Sequence, residues 1–289
     1  MSPSALLDVP APAKLNLFLH VVGRRADGYH LLQSVFVLID WCDRLHFERR
    51  GDGKLARHDL SAALPDDDLC LRAARALQTQ SGTALGADIH IDKQLPWGAG
   101  LGGGSSDAAS TLLALNRLWG LHWPRERLLA LALTLGADVP FFVGGDNAFV
   151  EGIGDRLTPL ALPTQAYAVV KPAEALATAD IFGSGQLVRD TPAVILAGSL
   201  ASARWCDGFG RNDLQPVAEA LCPQVRAAAS WLESQFGNSR MTGSGSAVFA
   251  RVGTEDSSLA AWPAQSLPGP WVGRMCRSLD HHPLQGWAG

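Results

Sequence analysis

The chain has few cysteines and no excess of basic residues, and each shortage excludes a class of protein. The five cysteines are odd in number and never occur as Cys-x-x-Cys, which argues against a disulfide framework and against a zinc site. Basic residues number 24 against 28 acidic ones, for a net charge of −4. We therefore expect neither nucleic acid nor an anionic membrane as a partner, and an anionic ligand must be bound by local groups.

The sequence also lacks a long apolar run. Its longest apolar stretch, residues 128–135, is far shorter than the roughly 20 residues that span a bilayer. Near the N-terminus, Asp8 and several prolines stand where a secretory signal would carry basic residues and then an apolar segment. With 47% hydrophobic and 18% charged residues, the chain can bury a substantial core. We expect a globular protein of the reducing cytoplasm, as a monomer or a weak homodimer.

A glycine-rich loop lies between a predicted strand and a predicted helix. Residues 94–107 have the sequence QLPWGAGLGGGSSD. Because glycine has no Cβ, such a backbone can adopt positive φ and point consecutive N–H groups at an anion, while the following helix directs its positive end to the same point. The loop therefore predicts a phosphate site, although tight turns and helix starts use glycine in the same way.

This loop is not a Walker P-loop, because Gly104 rather than a lysine precedes Ser105. Any phosphate charge must then be met by backbone dipoles, by the helix end and by a lysine from elsewhere in the chain. We expect Ser105, Ser106 or Asp107 to cap the helix.

Strands and helices are mixed along the chain without a βαβ rhythm. The predicted strands are 13–22, 31–39, 87–92, 166–170 and 247–252, and the predicted helices are 66–77, 108–119, 124–135, 216–222 and 224–236. A turn over 24–28 joins the first two strands into a hairpin with Tyr29 and His30 at its mouth. We expect an α+β fold of two domains, 1–161 and 162–289, and a turn-rich loop over 257–270.

Three stretches of the sequence, in order, resemble the three motifs of the GHMP kinase superfamily. They are PAKLNLFL at 12–19, LPWGAGLGGGSSDAA at 95–109 and MTGSGSAVF at 241–249. With RADGYH at 25–30 and GADVP at 136–140, the chain is most similar to members that phosphorylate the C2 hydroxyl of cytidine-diphosphate methylerythritol. The resemblance implies an N-terminal ATP-binding domain of the ribosomal-protein-S5 domain 2 type, a C-terminal ferredoxin-like domain and an active site between them.

The resemblance also implies ATP and Mg²⁺ as cofactors and assigns a set of residues to ATP binding. These are Lys93, Pro96, Trp97, Gly98, Ala99, Gly100, Leu101, Gly102, Gly103, Gly104, Ser105 and Ser106. The two serine hydroxyls contact phosphate or a magnesium-bound water, or simply cap the helix. Lys93 either binds the nucleotide or ends a strand in solvent. No residue is assigned as a metal ligand.

Two residues depart from the pattern of the family. Trp97 stands where relatives often carry a smaller or more flexible apolar residue. Asp68 stands where asparagine is common, at a position that makes a polar contact near the nucleotide base. Neither departure changes the glycines of the loop.

The catalytic assignments are Lys14 and Asp138. The resemblance implies that the Asp138 carboxylate accepts the proton of the substrate hydroxyl, with Lys14 beside it to hold it ionised and to stabilise charge on the transferred phosphoryl group. On local sequence alone, an aspartate of a turn is the favoured interpretation of Asp138, and the resemblance reverses that preference. The alternative for Lys14 is a solvated surface lysine.

The remaining assignments concern the substrate. They are Asn16, Tyr29, His30, Thr178, Phe182 and Gly243. Two aromatic rings can stack on a cytosine while an imidazole bonds its polar edge. Each of these residues also has a structural alternative, which is core packing for the rings, a strand-edge hydrogen bond for Asn16 and a hairpin turn for Gly243. Other open alternatives are a GHMP kinase for homoserine, mevalonate or a sugar, and a non-catalytic nucleotide or nucleic-acid binding module.

Overall fold

A hairpin of two long strands organises the first of two sheets. The structure, a computed structural model, describes residues 3–61, 63–195, 205–253 and 267–288. The first sheet contains β1 (Ala5–Arg24), β2 (His30–Arg50), β3 (Leu55–Asp59), β4 (Gly86–Asp92), β5 (Ala148–Gly152) and β6 (Arg156–Pro159). β1 runs antiparallel along one edge of β2, while β4 and β5 pair with the two ends of its other edge. β3 pairs parallel with β4, and β6 pairs antiparallel with β5.

The predicted strands of this hairpin are confirmed, but both are longer than predicted. Residues outside 13–22 and 31–39, such as Ala11 and Phe47, are fully buried, so tertiary packing extends the strands past the alternating part of the sequence. The turn between them is also confirmed, with Gly28 at φ +93°, a conformation that favours glycine.

Helices cover the outer face of the first sheet. They are α1 (Leu69–Ser81), α2 (Gly103–Leu118), α3 (Arg125–Leu133) and α4 (Val139–Gly144). Asp68 caps α1, because its carboxylate accepts the Leu71 N–H at 3.1 Å. The prediction that α2 begins near residue 108 is wrong, since its helical turns begin at Gly103.

The second sheet contains four antiparallel strands in the order β10, β7, β9, β8. They are β7 (Ala166–Lys171), β8 (Arg240–Met241), β9 (Val248–Gly253) and β10 (Val272–Arg277), accompanied by α5 (Thr178–Gly183), α6 (Gln215–Leu221) and α7 (Pro223–Phe236). The mixed α+β class and the late pair of helices are confirmed. Of the loop predicted over 257–270, residues 257–266 lie outside the described residues.

Alternating residues of each sheet separate the core into layers. On β2, Leu38 packs towards the helices of the first sheet, whereas Val37 packs towards the second sheet. On β7, Tyr167 faces the first sheet and Val170 faces α7. The order is therefore helices, sheet, sheet, helices, with the two sheets packed face to face.

The five cysteines form no disulfide bonds with one another. All five cysteines lie in the described segments and all are free thiols. Within the same segments, no helix combines the length and the apolarity needed to cross a bilayer.

Candidate active site

A cleft of about 830 Å³ lies between the first hairpin, the glycine loop and the second sheet. It brings together residues that are far apart in the sequence. From the predicted set, its lining includes Lys14, Asn16, Tyr29, His30, Gly98, Gly100, Gly102, Asp138, Thr178, Phe182 and Gly243. The other predicted residues of the glycine loop, and Lys93, do not line it.

Lys14 lies on the face of β1 that is turned to the cleft. Its ammonium Nζ lies 3.7 Å from Asp138 Oδ2 and donates a 2.6 Å hydrogen bond to Asn16 Oδ1. The residue is only 3% exposed, so the alternative of a solvated surface lysine is wrong. Burial lowers the pKa of Lys14, and the charge of Asp138 opposes that effect. The charge of Asp138 therefore favours the ammonium form of Lys14, whereas burial favours the neutral amine.

Asp138 immediately precedes α4, after a turn in which the Val139 N–H donates to the Gly136 carbonyl at 3.3 Å. Its carboxylate makes no capping bond to the helix, and its side chain is 32% exposed. The carboxylate is therefore held near Lys14 and open to the cleft, where it can accept a proton from a bound hydroxyl.

The glycine loop has a backbone that side chains would disrupt. Gly98, Gly100 and Gly102 have φ values of +62°, +71° and +75°. A Cβ on Gly100 would lie 2.3 Å from the Thr242 carbonyl oxygen, and one on Gly102 would lie 2.9 Å from a ring carbon of Phe142. Glycine is required at both positions, for backbone conformation and for close approach.

The helix after the loop is not capped by a side chain. Gly102 occupies the N-cap position, so the prediction that Ser105, Ser106 or Asp107 caps α2 is wrong. All three residues lie inside the first turns of the helix. Ser106 Oγ and Asp107 Oδ1 are buried and have no hydrogen-bond partner among the described residues. The N-terminus of α2 keeps its free N–H groups, which suits an anion.

Lys93 lies behind the glycine loop. Its ammonium is hydrogen-bonded to Asp43 and, at 2.6 Å, to Asp107 Oδ2. Its side chain is 9% exposed, so the alternative of a solvated strand end is wrong. Because both acids bind this ammonium, Lys93 is positioned to support the loop from behind.

Asp43 also fixes the strand end that leads into the loop. Its Oδ1 accepts the N–H groups of Gln94 and Leu95 at 2.6 and 2.7 Å. With Lys93 it therefore connects β2, the end of β4 and the first turns of α2. No local pattern in the sequence identified Asp43, because its partners lie about 50 residues away.

The third motif forms the turn between β8 and β9 and packs directly on the glycine loop. The Ser246 and Ala247 N–H groups donate to the Gly98 and Ala99 carbonyls, each at 3.1 Å. Thr242 Oγ1 accepts the Asn16 N–H at 3.0 Å. The hairpin turn and the contact with the loop are therefore both present, and they fix the loop relative to β1.

Asn212 holds this turn and was not identified from the sequence. Its Nδ2 donates to the Met241 and Gly243 carbonyls at 2.7 and 2.9 Å. The residue lies in a segment without regular periodicity, where sequence patterns give no signal.

Tyr29, His30 and Phe182, from the predicted substrate residues, contribute aromatic rings to the lining of the cleft. Tyr29 is 61% exposed at its edge. The rings of His30 and Phe182 lie with centroids 4.9 Å apart and planes inclined by 35°. Thr178 Oγ1 lies 2.8 Å from Ser244 Oγ, in the turn of the third motif. An exposed tyrosine and a tilted pair of aromatic rings suit a planar ring as ligand.

The two departures from the family pattern have separate positions in the structure. Trp97 is 66% exposed in the glycine loop. Asp68 is paired with Arg57 at 3.0 Å besides capping α1. The carboxylate at position 68 therefore has a structural role that an adjacent guanidinium supports.

The described residues contain no group of three or more histidine, cysteine, aspartate or glutamate side chains that could hold a metal. Magnesium in nucleotide sites is commonly bound by one or two protein oxygens, phosphates and waters. Ser106 Oγ, buried and unpaired in the first turn of α2, is an oxygen of the required kind. The site therefore fits a metal that arrives with its nucleotide.

Comparison with protein families gives two consecutive matches. Residues 68–146 match the model of the GHMP kinases N terminal domain, and residues 193–264 match that of the GHMP kinases C terminal domain.

Individual relatives share one name. The chain is 68% identical to 4-diphosphocytidyl-2-C-methyl-D-erythritol kinase of Methylibium petroleiphilum over all of both chains. It is 57% identical to the enzyme of that name from Polaromonas naphthalenivorans, over 98% of this chain and 96% of the relative. A crystal structure of 4-(cytidine 5'-diphospho)-2C-methyl-D-erythritol kinase superposes with a TM-score of 0.78 at 33% identity, covering 94% of this chain and 98% of the other.

Proposed function

We propose a reaction for this chain, which belongs to the 4-diphosphocytidyl-2-C-methyl-D-erythritol kinases of the GHMP kinase family. The protein transfers the γ-phosphoryl group of ATP to the C2 hydroxyl of 4-diphosphocytidyl-2-C-methyl-D-erythritol. The reaction belongs to non-mevalonate isoprenoid precursor biosynthesis. The observation that supports this most strongly is the Lys14–Asp138 pair, which lies in one cleft with a phosphate-type glycine loop and an aromatic pocket.

The acceptor hydroxyl binds next to Asp138. The Asp138 carboxylate orients the hydroxyl and takes its proton as the hydroxyl oxygen attacks the γ-phosphorus. The bond from the γ-phosphorus to the oxygen it shares with the β-phosphate breaks, and ADP leaves. The Lys14 ammonium, held by Asn16, keeps that carboxylate ionised before the reaction. During transfer, the same ammonium stabilises the negative charge on the phosphoryl oxygens.

The glycine loop and the start of α2 bind the triphosphate. The free N–H groups there supply hydrogen bonds and the positive end of the helix dipole, so no lysine within the loop is needed. Bound Mg²⁺ would neutralise part of the phosphate charge. Ser106 would contact that ion or one of its waters, and Lys93 supports the loop from behind.

The aromatic end of the cleft binds the cytidine group. Tyr29 and Phe182 stack on the base, His30 bonds its polar edge, and Thr178 and Gly243 contact the rest of the substrate with Asn16. Homoserine, mevalonate and sugars have no base to occupy this end.

The test is release of ADP by the purified protein with ATP and Mg²⁺. The cytidine substrate, homoserine, mevalonate and galactose are each supplied as acceptor, and the D138N variant serves as the control for contaminating kinases. Turnover with the cytidine substrate alone is expected. Turnover with another alcohol instead would agree with the family assignment and contradict the proposed substrate. The absence of turnover with all four acceptors would contradict kinase activity.

We further propose a division into domains 1–161 and 162–289, a cytoplasmic location and a monomer or weak homodimer. Static light scattering across a hundredfold range of protein concentration measures the last of these directly. A stable higher oligomer would contradict it.

A further inference from the structure

Arg189 connects His30 to the segment that follows Phe182. Its Nε donates to His30 Nε2 at 3.0 Å. The other guanidinium nitrogens donate to the carbonyls of Phe182, Ser184 and Leu187 at 3.1, 2.8 and 2.9 Å. A guanidinium fork held by three carbonyls is fixed in orientation. The bond to the imidazole is therefore made by a donor that cannot turn away.

The contact with Arg189 determines where His30 carries its proton. A guanidinium only donates hydrogen bonds, so His30 Nε2 must be the acceptor. In the neutral imidazole the proton then lies on Nδ1. The ring is kept neutral, because burial and the positive charges of Arg189 and Arg24 lower the pKa of His30. Among the described residues, these two cations are the charged groups that shift the pKa of His30.

The base of the substrate must meet the remaining polar atom of the ring. His30 lines the cleft, its face packs on Phe182, and its Nε2 is occupied by Arg189. The Nδ1–H group is left as a donor for the ligand. Cytosine presents an unprotonated ring nitrogen, N3, on its pairing edge, whereas uracil presents N3–H there. A donor at this point complements the first base and opposes the second.

We propose that Arg189 is a positioning residue that fixes His30 as the Nδ1–H tautomer and thereby makes the cleft select cytosine over uracil. This inference rests on the proposed function, because it assigns the base of that substrate to His30. Without Arg189, the imidazole is free to carry its proton on Nε2, which turns Nδ1 into an acceptor that suits uracil.

The first experiment measures binding of cytidine 5'-diphosphate and uridine 5'-diphosphate by calorimetry at pH 7.5, for the wild type and for R189M. We expect R189M to weaken binding of the cytidine nucleotide about tenfold, the value of one well-placed hydrogen bond. Binding of the uridine nucleotide should stay the same or become stronger, because an Nδ1 acceptor suits uracil. An unchanged ratio of the two dissociation constants would overturn the proposal.

The second experiment observes the tautomer itself. Long-range ¹H–¹⁵N correlation of the imidazole should show the Nδ1–H form for His30 in the wild type and a shift towards Nε2–H in R189M. The matched control is R24Q, which also removes a positive charge near His30. Arg24 Nε donates to the Gly28 carbonyl and not to the imidazole. R24Q should raise the pKa of His30 and keep the Nδ1–H form. A wild-type ring protonated on Nε2 would refute the inference.

The effect of R189M in an H30A protein distinguishes a purely structural role of Arg189 from a role that acts through His30. In H30A, adding R189M should leave the ratio of cytidine to uridine nucleotide binding unchanged, because the imidazole through which Arg189 acts is gone. If R189M still lowered this ratio about tenfold there, Arg189 would act through the 182–187 segment alone. A protein that selects the cytidine nucleotide through Arg189 and yet shows no kinase turnover would contradict the proposed function and support this inference.

Discussion

The Lys14 ammonium lies 3.7 Å from the Asp138 carboxylate, and the two side chains differ sharply in exposure, 4% against 32%. The buried partner is the cation, which is fixed by Asn16 and covered by the ring of Phe36 at 4.7 Å. The accessible partner is the carboxylate. In the proposed reaction, this asymmetry leaves the carboxylate that accepts a proton facing the substrate and holds the ammonium that stabilises charge in place.

Replacing Asp138 by asparagine should therefore lower kcat by about 10² to 10⁴, the usual contribution of a general base. ATP binding should stay within about threefold of the wild type, because the glycine loop is untouched. Steady-state ADP release and equilibrium binding of ATP measure the two quantities. D146N is the matched control, since Asp146 pairs with His281 and should retain kcat within about twofold. Near wild-type turnover in D138N would eliminate Asp138 as the base.

Truncation of Tyr29 or Phe182 should weaken binding of the cytidine substrate and leave binding of ATP unchanged. Y29A and F182A each remove a ring with which a base can stack, and stacking contributes about 1–3 kcal/mol per base. KM for the cytidine substrate should therefore rise about 5- to 100-fold, with KM for ATP unchanged. Initial-rate measurements with each substrate varied in turn test this. Unchanged KM values for the cytidine substrate in both variants would contradict the assignment of the substrate.

The glycines of the loop should respond very differently to alanine. A Cβ at Gly100 would lie 2.3 Å from the Thr242 carbonyl oxygen, whereas one at Gly104 would meet only a Leu69 methyl at 3.8 Å. G100A should weaken ATP binding at least tenfold and lower Tm. G104A, inside α2, should gain about 0.5–1 kcal/mol of stability from helix propensity. Thermal unfolding of both variants measures this difference in stability. A G100A protein as stable as G104A would contradict the predicted clash with the Thr242 carbonyl oxygen.

The buried acids behind the loop should make stability depend on pH. Burial, opposed by Lys93 and reinforced by Asp43, raises the pKa of Asp107 to about 8, against about 3.9 in an unfolded chain. Between these values the folded protein binds the extra proton, so its free energy of unfolding should fall as pH rises, by at most about 1.4 kcal/mol per unit.

D107N removes this titration and should flatten the dependence. Urea unfolding of wild type and D107N at pH 5.5, 6.5, 7.5 and 8.5 gives the difference, in which the other titrating groups cancel. Parallel curves for the two proteins would show that Asp107 is ionised throughout this range.

Local patterns predicted the parts of this molecule that local physics determines. The alternation of β1, the glycine loop and the late helices are visible in short windows of sequence. The start of α2 was missed because Gly103 and Gly104 are poor helix formers, and the packing of the helix overrides that preference. Contacts such as Lys93 with Asp43, or Arg189 with His30, join segments that no window contains.

The backbone hydrogen bonds from Ser246 and Ala247 to Gly98 and Ala99 mean that both halves of the chain determine the shape of the glycine loop, the proposed ATP site. A fragment that stops at residue 161 contains every glycine of the loop but lacks the strand turn that holds it. Exchange of halves between homologous enzymes must therefore transfer matched loop and turn sequences together. Contacts between the loop and the turn therefore limit recombination between such enzymes.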